Sequence, residues 1–288
     1  MGVGQISVSG ASQTDTIMLN TRMSQQTSED ALAAAILSAW DAGASLDPDV
    51  VTPPASLEAG LARQEAVNTL RRARGEKPVG YKIGFTNRSI WPLYKVFHPI
   101  WAPVWNTTLT QLDATRAEIG LQHFAEPRLE PEIVLCLART PQGSGADAIF
   151  EAIDWIAHGL EIVQSPYPGW KFSAAEAVAA QSLHGALMVG SRKPRSIVAR
   201  WQDLAELQLT LALDGQPVAS GSGAQALGNP VLALAHLADE LARQGQSLHA
   251  GDIITTGTLT DAQPLTPGQC WTTSIAGCGL DGLELHTR

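Results

Sequence analysis

The chain has 288 residues, 44% of them hydrophobic and 16% charged, a balance typical of a globular protein that buries a sizeable core in one large domain or two modest ones. The formal net charge is −9 and no Lys/Arg-rich run is present, which argues against nucleic acid as a partner. No apolar stretch is long enough to cross a bilayer, and the three cysteines form no CxxC pair. We therefore expect a protein of the reducing cytoplasm that is not attached to a membrane.

The N-terminal quarter of the chain divides into a tail and a helical part. Residues 1–26 are rich in Ser, Gly, Gln and Thr and lack the basic start and apolar centre of a signal peptide, so we interpret them as a disordered tail. Apolar residues at helical spacing then predict helices over residues 27–42 and 56–74. Residues 27–78 are therefore predicted to form a helical N-terminal subregion.

Short apolar runs separated by turn residues predict a β-rich catalytic domain over residues 79–288. Helical patterns occur within it over residues 147–157 and 231–243. Strictly alternating strand–helix units are absent, so the pattern favours an α+β fold over a doubly wound sheet. The predicted strands cover residues 79–85, 133–137, 160–163, 186–189, 207–213, 253–256 and 271–275.

One glycine-rich segment formally fits a dinucleotide-binding fingerprint. Residues 221–226 read G-x-G-x-x-A after a predicted strand. Gly228 and Pro230 interrupt the helix that should follow, and the next acidic residue, Asp239, lies too early to bind a ribose. We predict a turn here.

Two glutamates open a predicted strand in Leu-Glu-Pro-Glu-Ile-Val-Leu at 129–135. Residues two apart on a strand face the same side, so the carboxylates of Glu130 and Glu132 repel each other unless a cation lies between them. Mg²⁺ prefers such oxygen ligands. Glu161 interrupts another apolar strand and is the best candidate for a third ligand. The alternative is that all three glutamates lie on a solvent-facing strand edge.

Three basic side chains are candidates for catalysis. Lys82 lies inside an apolar strand bounded by glycines; a partly buried lysine shifts its pKa downward readily and can act as acid, base or electrostatic clamp, whereas a lysine that reaches the surface does not. Lys171 is a weaker candidate, since its neighbour Trp170 can simply cover its stem. His184 precedes a predicted strand, where a lone histidine is more often structural than catalytic.

Five stretches carry a family likeness. They are Val-Gly-Tyr-Lys-Ile-Gly-Phe-Thr at 79–86, Leu-Glu-Pro-Glu-Ile-Val-Leu at 129–135, Leu-Glu-Ile-Val at 160–163 with Trp-Lys at 170–171, Ala-Leu-Gly-Asn-Pro at 226–230, and Gly-Asp-Ile-Ile-Thr-Thr-Gly-Thr at 251–258. In this order and spacing they resemble the 2-oxopent-4-enoate hydratase and 4-oxalocrotonate decarboxylase branch of the fumarylacetoacetate hydrolase superfamily. The likeness extends over nearly the whole chain after the tail.

The resemblance implies an α+β fold of the fumarylacetoacetate hydrolase type, a mixed β-roll that carries the helical subregion. It implies a metal ion, Mg²⁺ or alternatively Mn²⁺, and a lysine that points into the pocket. Together with the candidates above, the predicted site comprises Glu130, Glu132 and Glu161 for the metal, Lys82, Lys171 and His184 for catalysis, and Thr86, Gly257 and Thr258 for the substrate.

The implied activity is that of a hydro-lyase. We expect a Mg²⁺-dependent hydratase of a 2-hydroxydienoate or 2-oxo-alkenoate that acts through a metal-stabilised enolate. A 2-oxo-acid decarboxylase or tautomerase shares that intermediate and is the runner-up, and a non-catalytic partner subunit is a further alternative. The expected partners are a small 2-oxo acid, further copies of the chain in a homo-oligomer and, in the alternative, a pathway homologue.

The chain departs from the family pattern at three places. The stretch that usually reads Ala-Asp-Asn-Ala-Ser is Ala-Ala-Gln-Ser at 179–182, so an acidic residue is lost. A common Asp-Phe-Gly is absent where Pro-Ile-Trp-Ala stands at 99–102, and Asn229 replaces a common His. These changes surround a retained set of metal ligands and bear on the substrate and the reaction.

Overall fold

The computed structural model describes residues 29–47, 51–88, 91–94 and 97–288, so the predicted tail over 1–26 lies outside the described residues. In chain order the elements are α1 (29–42), α2 (Leu57–Ala73), β1 (Pro78–Gly84), α3 (Trp91–Tyr94), β2 (Ile100–Trp105), β3 (Leu109–Gln111), β4 (Arg116–Ile119), β5 (Arg128–Leu137), α4 (Ala146–Ala152), β6 (Ile153–Val163), α5 (Ala174–Ala179), β7 (His184–Val189), β8 (Lys193–Pro194), α6 (Asp203–Glu206), β9 (Gln208–Leu213), β10 (Gln216–Ser222), α7 (Pro230–Arg243), β11 (Ile253–Thr258), β12 (Gln263–Pro264), β13 (Cys270–Ala276) and β14 (Glu284–Thr287).

Two sheets organise the described part of the chain. The larger has nine strands in the order β2-β1-β11-β5-β6-β7-β3, with β12 beside β5 and β8 beside β6. The smaller has five strands in the order β10-β9-β13-β14-β4. Both are mixed, since β1 pairs in parallel with β11, β3 with β7 and β14 with β4. The order confirms an α+β fold with a mixed sheet.

The main core fills one face of the large sheet. Alternate residues of β5, among them Leu129, Ile133 and Leu135, pack there with leucines of α7 and of the small sheet. The intervening residues Val134 and Cys136 belong to a smaller apolar cluster on the other face. This alternation matters for the site, because Glu130 and Glu132 follow the register of Val134 and therefore lie on the face away from the main core.

The N-terminal helices form a separate apolar cluster. Ile36 of α1 and Val67 of α2 pack with Ala177 and Val178 of α5. The helix α2 begins where the Ser56 hydroxyl accepts the Ala59 N–H at 3.2 Å, and two arginines occupy its last turn. Among the described residues no helix is both long and apolar enough to span a bilayer.

One predicted helix is wrong in its second half. The helix predicted over residues 147–157 ends at Ala152, and β6 begins at Ile153. The strand lies between β5 and β7 with both faces buried, so its apolar run lacks the alternation that marks a half-exposed strand. Because both faces of β6 are buried, the hydrophobic pattern of the sequence does not indicate a strand here.

The glycine-rich segment at 221–226 is a turn, as predicted. The strand β10 ends at Ser222, a short 3-10 turn follows, and α7 begins only at Pro230. A Cβ at Gly223 would lie 1.7 Å from the Leu204 carbonyl oxygen, so this glycine permits a close backbone approach.

Gly80 provides a test of how tightly the strands around the site are packed. A Cβ at this position would lie 1.8 Å from the Ile253 carbonyl oxygen, and φ is 153°. We expect Gly80→Ala to push β1 from β11 and to lower the free energy of unfolding by about 1–3 kcal/mol or more. Chemical denaturation measures the loss. Gly145→Ala is the matched control, since φ is −64° there and nothing lies within 4 Å of an added Cβ; equal stability of the two variants would contradict the prediction.

Candidate metal centre

The pairing of two strands, β5 and β6, brings the predicted ligands together. Glu130 of β5 lies directly opposite Glu161 of β6, and Glu132 lies two residues further along the same face of β5. One carboxylate oxygen from each of the three lies within 4.8 Å of the others. The structure thus places the three glutamates in one cluster, as a shared cation requires.

Two of the three glutamates are removed from water, and the third is partly covered. Glu132 and Glu161 have no exposed surface, and Glu130 is half-buried. The alternative of a solvent-facing strand edge is therefore wrong. Two buried ionised groups are stable only if something positive or a hydrogen-bond donor reaches each of their oxygens.

Only half of those oxygens have a protein partner. Oε2 of Glu132 accepts the Gly257 N–H at 2.7 Å and the Thr255 hydroxyl. Oε1 of Glu161 accepts from His184 Nδ1 at 2.7 Å and faces Lys82 Nζ at 3.3 Å. Oε1 of Glu132 and Oε2 of Glu161 are buried and have no hydrogen-bond partner among the described residues. Two unpartnered carboxylate oxygens beside a third carboxylate, that of Glu130, fit a divalent cation such as Mg²⁺.

The crowding of the carboxylates shifts their acidities in different directions. Burial raises the pKa of Glu130 to about 7, against the attraction of Lys82. Burial, and then repulsion from Glu161 and Glu130, raises the pKa of Glu132 well above its ordinary value. Burial also acts on Glu161, but Lys82 and His184 outweigh it and hold its pKa below the ordinary value. The cluster therefore retains protons near neutral pH unless a cation replaces them.

Lys82 is buried beside the glutamates, so the alternative that its side chain reaches the surface is wrong. Its Nζ donates to the Ser182 carbonyl oxygen at 3.0 Å as well as facing Glu161. Burial alone lowers the pKa of Lys82, but the attraction of the three carboxylates outweighs it, so the pKa is raised. The shift is opposite to the downward shift of a lysine buried without partners, because three anions surround the ammonium group.

A strained turn holds the Ser182 carbonyl against Lys82. Gln181, Ser182 and Leu183 have φ values of 58°, 49° and 64°, a conformation unfavourable for side chains other than glycine. The Ser182 hydroxyl donates to the Trp101 carbonyl oxygen at 2.8 Å, and Trp105 Nε1 donates to Gln181 Oε1 at 3.2 Å. This is the stretch in which the family's acidic residue is lost, and it contacts the lysine through its backbone.

His184 links Glu161 to Thr108 through its two ring nitrogens. Burial lowers the pKa of His184, so the imidazole is neutral and carries one N–H. That hydrogen lies on Nδ1, because Glu161 only accepts, and Nε2 then accepts from the Thr108 hydroxyl at 2.8 Å. Both ring nitrogens are thus occupied by protein contacts.

The other predicted residues lie at different distances from the cluster. Thr86 is buried against Gly257, where an added Cβ would lie 1.9 Å from the Thr86 oxygen. The Thr258 hydroxyl donates to the Thr260 carbonyl oxygen at 2.7 Å. Lys171 is exposed, and no hydrogen bond or ion pair of the described chain joins it to the glutamates.

Asn229, which replaces a common histidine, has a structural role here. Its side chain caps α7 by accepting the Val231 N–H at 2.8 Å and donates to the Trp201 carbonyl oxygen at 2.9 Å. Both ends of the amide are occupied, so this departure leaves the carboxylate cluster intact.

The sequence analysis missed two residues that support the ligands. The Thr255 hydroxyl donates to Glu132, and the buried His158 bridges the Glu132 carbonyl oxygen and the Thr273 hydroxyl, at 2.9 Å each. Burial lowers the pKa of His158 to about 4, so it stays neutral. Thr255 lies in a stretch that carried the likeness, but only the pairing of β11 with β5 reveals its partner.

Comparisons with known proteins assign this arrangement to a family. The model of the fumarylacetoacetate (FAA) hydrolase C-terminal domain matches residues 97–280. This chain belongs to the fumarylacetoacetate hydrolase family. The predicted family and fold are confirmed.

The chain is similar to relatives that have two different activities. It is 32% identical over 200 residues to a 4-oxalocrotonate decarboxylase of Pseudomonas sp, which covers 69% of this chain and 75% of the relative. It is 30% identical over 260 residues to a 2-keto-4-pentenoate hydratase of Burkholderia vietnamiensis, which covers 89% of this chain and 97% of the relative. The structure of a 4-oxalocrotonate decarboxylase from Pseudomonas putida, complexed with magnesium and adipate, matches with a TM-score of 0.83 at 25% identity over 91% of this chain and 98% of that chain.

Removing one ligand separates metal binding from folding. We expect Glu132→Gln to weaken Mg²⁺ binding by at least about tenfold, because glutamine has the shape of glutamate but lacks the negative charge that the cation requires. The metal-free variant should be at least as stable as the wild type, since one of three mutually repelling carboxylates is gone. Titration calorimetry measures the affinity and thermal melting in EDTA the stability. Exposed Glu151→Gln is the control, and an unchanged affinity in Glu132→Gln would remove Glu132 from the ligand set.

The raised pKa values give metal binding a pH dependence of definite sign. At a pH below the ordinary carboxyl pKa, the glutamates are protonated in both the folded and the unfolded chain. As pH rises through about 7, Glu130 of the folded metal-free protein has to ionise, and the folded protein loses stability. Mg²⁺ binds the ionised form, so its affinity should increase from about pH 6 to about pH 8 with release of protons. Calorimetry in two buffers of different ionisation enthalpy detects both effects. An affinity that does not change across this range would contradict the assigned protonation.

Proposed function

We propose that this protein is a divalent-metal-dependent lyase, a hydratase of a 2-hydroxydienoate or 2-oxo-alkenoate, whose metal is held by Glu130, Glu132 and Glu161. The observation that carries the proposal is the cluster of three carboxylates with unpartnered oxygens beside a buried ammonium group. The 2-keto-4-pentenoate hydratase relative, which aligns over nearly its whole length, supports this choice of reaction.

Mg²⁺ is the proposed ion, with Mn²⁺ as the alternative. All three ligands are hard carboxylate oxygens, which suit these ions better than they suit thiophilic metals. The decarboxylase structure complexed with magnesium supports the same assignment. When bound, the ion supplies positive charge that stabilises the negative charge developing on the 2-oxygen of the substrate.

Lys82 is proposed to act as a charged hydrogen-bond donor. The Ser182 carbonyl oxygen at 3.0 Å and the Glu161 carboxylate at 3.3 Å both favour its ammonium form. Ser182 and Glu161 engage two of its three hydrogens, and the third is available to an anionic substrate oxygen or for transfer as a proton. The strained turn that holds Ser182 thus aims the donor.

The remaining predicted residues take supporting parts in this proposal. His184 touches Glu161 and Thr108, so we assign it to positioning the ligand. The Gly257 N–H is likewise used by Glu132, and the adjacent Thr86 is proposed to bind the substrate carboxylate. Lys171 has no assigned part. Homo-oligomer formation and a complex with a pathway homologue stay predictions.

Decarboxylation of a 2-oxo acid is the second candidate. It is favoured by the decarboxylase relative and by the decarboxylase structure with a TM-score of 0.83. The residues at the cluster do not distinguish the two reactions, because both accumulate negative charge on the same oxygen. Product analysis therefore decides between them.

The hydratase proposal predicts a specific assay result. Purified protein should consume a 2-hydroxydienoate in the presence of Mg²⁺, with loss of the dienoate absorbance, because water addition breaks the conjugation. EDTA should abolish the loss and added Mg²⁺ restore it. Mass analysis should show a product heavier by one water. A product lighter by carbon dioxide from an oxalocrotonate-type substrate would establish the decarboxylase instead, and activity only after addition of a homologue would establish a partner subunit.

A lysine variant tests the mechanism within the same assay. Lys82→Met should lower kcat by about 100-fold or more while Mg²⁺ still binds, because the variant keeps the ligands and loses the donor. The exposed Lys171→Met is the matched control and should keep wild-type turnover. Wild-type rates in Lys82→Met would exclude Lys82 from the reaction.

A further inference from the structure

A second group of metal-ligating side chains lies on the small sheet, on strands that hold none of the three glutamates. Cys270 of β13 is directly opposite His286 of β14, and Glu284 lies two residues before His286 on the same strand. Their neighbours Trp271 and Leu285 point inward and are buried. The three polar side chains therefore share the outer face of the sheet.

The ligand atoms of these side chains are already close. The Cys270 Sγ lies 3.8 Å from His286 Nε2, and the same nitrogen lies 2.5 Å from Glu284 Oε1. One ligand atom from each residue lies within 4.8 Å of the other two. A tetrahedral ion with bonds of about 2.0–2.3 Å places its ligand atoms about 3.3–3.8 Å apart. The Cys270–His286 spacing of 3.8 Å matches this, and the His286–Glu284 hydrogen bond of 2.5 Å has to open when the ion binds. Each side chain is half-exposed, so an ion can enter from solvent.

The charge around the thiol also favours a cation. Burial raises the pKa of the Cys270 thiol, and the carboxylates of Glu284 and Asp214 raise it further. Asp214 is held beside it by the Cys270 N–H, which donates to Oδ1 at 3.0 Å. Two carboxylates that disfavour a thiolate alone would stabilise a thiolate bound to a dication.

One cation already competes for the site. Arg116 Nε lies 3.5 Å from Glu284 Oε1, but its side chain is 66% exposed. An exposed pair of this kind contributes little to stability, so the arginine can turn into solvent.

We propose that Cys270, Glu284 and His286 bind a zinc-class transition-metal ion, independently of the three-glutamate centre. A thiolate, an imidazole and a carboxylate are the ligand types that Zn²⁺ and Co²⁺ prefer, whereas the all-oxygen cluster suits Mg²⁺. Three protein ligands leave a fourth position for water. An ion here joins β13 to β14, the last strand of the chain, and so fixes that strand to the sheet.

Cobalt provides the test, because Co²⁺ bound to a thiolate gives a charge-transfer absorption band in the near ultraviolet that oxygen ligands do not give. The full chain is titrated with Co²⁺ under reducing conditions in excess Mg²⁺, which occupies the glutamate centre. We expect the band to saturate at one thiolate-bound ion per chain. Cys270→Ser should abolish the band, and His286→Gln should lower the Co²⁺ affinity by at least about tenfold.

Two further variants make the result decisive. Cys278→Ser removes a buried thiol outside the group and should leave the band unchanged, and so should Glu132→Gln, which alters only the other centre. Circular dichroism of each variant confirms folding. Absence of the band in the wild type, its survival in Cys270→Ser, or an unchanged affinity in folded His286→Gln would overturn the proposal. Since the readout is absorbance, failure of the hydratase assay does not affect it.

Discussion

The structure depends on how a folded chain accommodates three carboxylates in one buried space. Glu130, Glu132 and Glu161 converge within 4.8 Å, and one ammonium group, that of Lys82, lies among them. Mutual repulsion and lost hydration both oppose this arrangement. One lysine and the proposed dication together would balance the three carboxylates, and in the absence of the ion the raised pKa values of Glu130 and Glu132 favour protons in its place. The metal affinity, the pKa values of the glutamates and the stability of the folded protein therefore depend on the same set of charges.

The large sheet makes that balance possible because one of its faces packs in the core and the other carries the glutamates. The residues of β5 that alternate with the glutamates pack in the main core, so the backbone is fixed by apolar burial on one face while the other presents ligands. Neighbouring strands then supply the rest of the site: β11 provides the donors to Glu132, and β1 provides Lys82. A site built on paired strands has little freedom to relax, which suits a cluster that electrostatic repulsion would otherwise spread apart.

The sequence predicted the ligands better than it predicted their surroundings. A spacing of two on a strand is sufficient to place Glu130 and Glu132 side by side, and a lone charge in an apolar run marks Glu161. The raised pKa of Lys82 does not follow from the sequence, because it depends on carboxylates of two other strands, β5 and β6, that the chain order does not bring to β1. The strand at residues 153–157 was missed because burial on both faces removes alternation, and the strained turn at 181–183 has no glycine to indicate it.

The loss of an acidic residue near position 180 fits the same charge balance. Ala180 is buried at the start of the turn that holds Lys82, so a carboxylate there would add a fourth negative charge to a region where one ammonium and one dication already balance three. In its place the chain presents the backbone carbonyl of Ser182, which binds the lysine as a dipole and adds no net charge. A carbonyl raises the basicity of the lysine less than a carboxylate does, and it leaves the ammonium group more readily drawn to an anionic substrate. In this chain Lys82 is thus held by the backbone of the turn at 181–183 and by Glu161, beside the cluster of three glutamates.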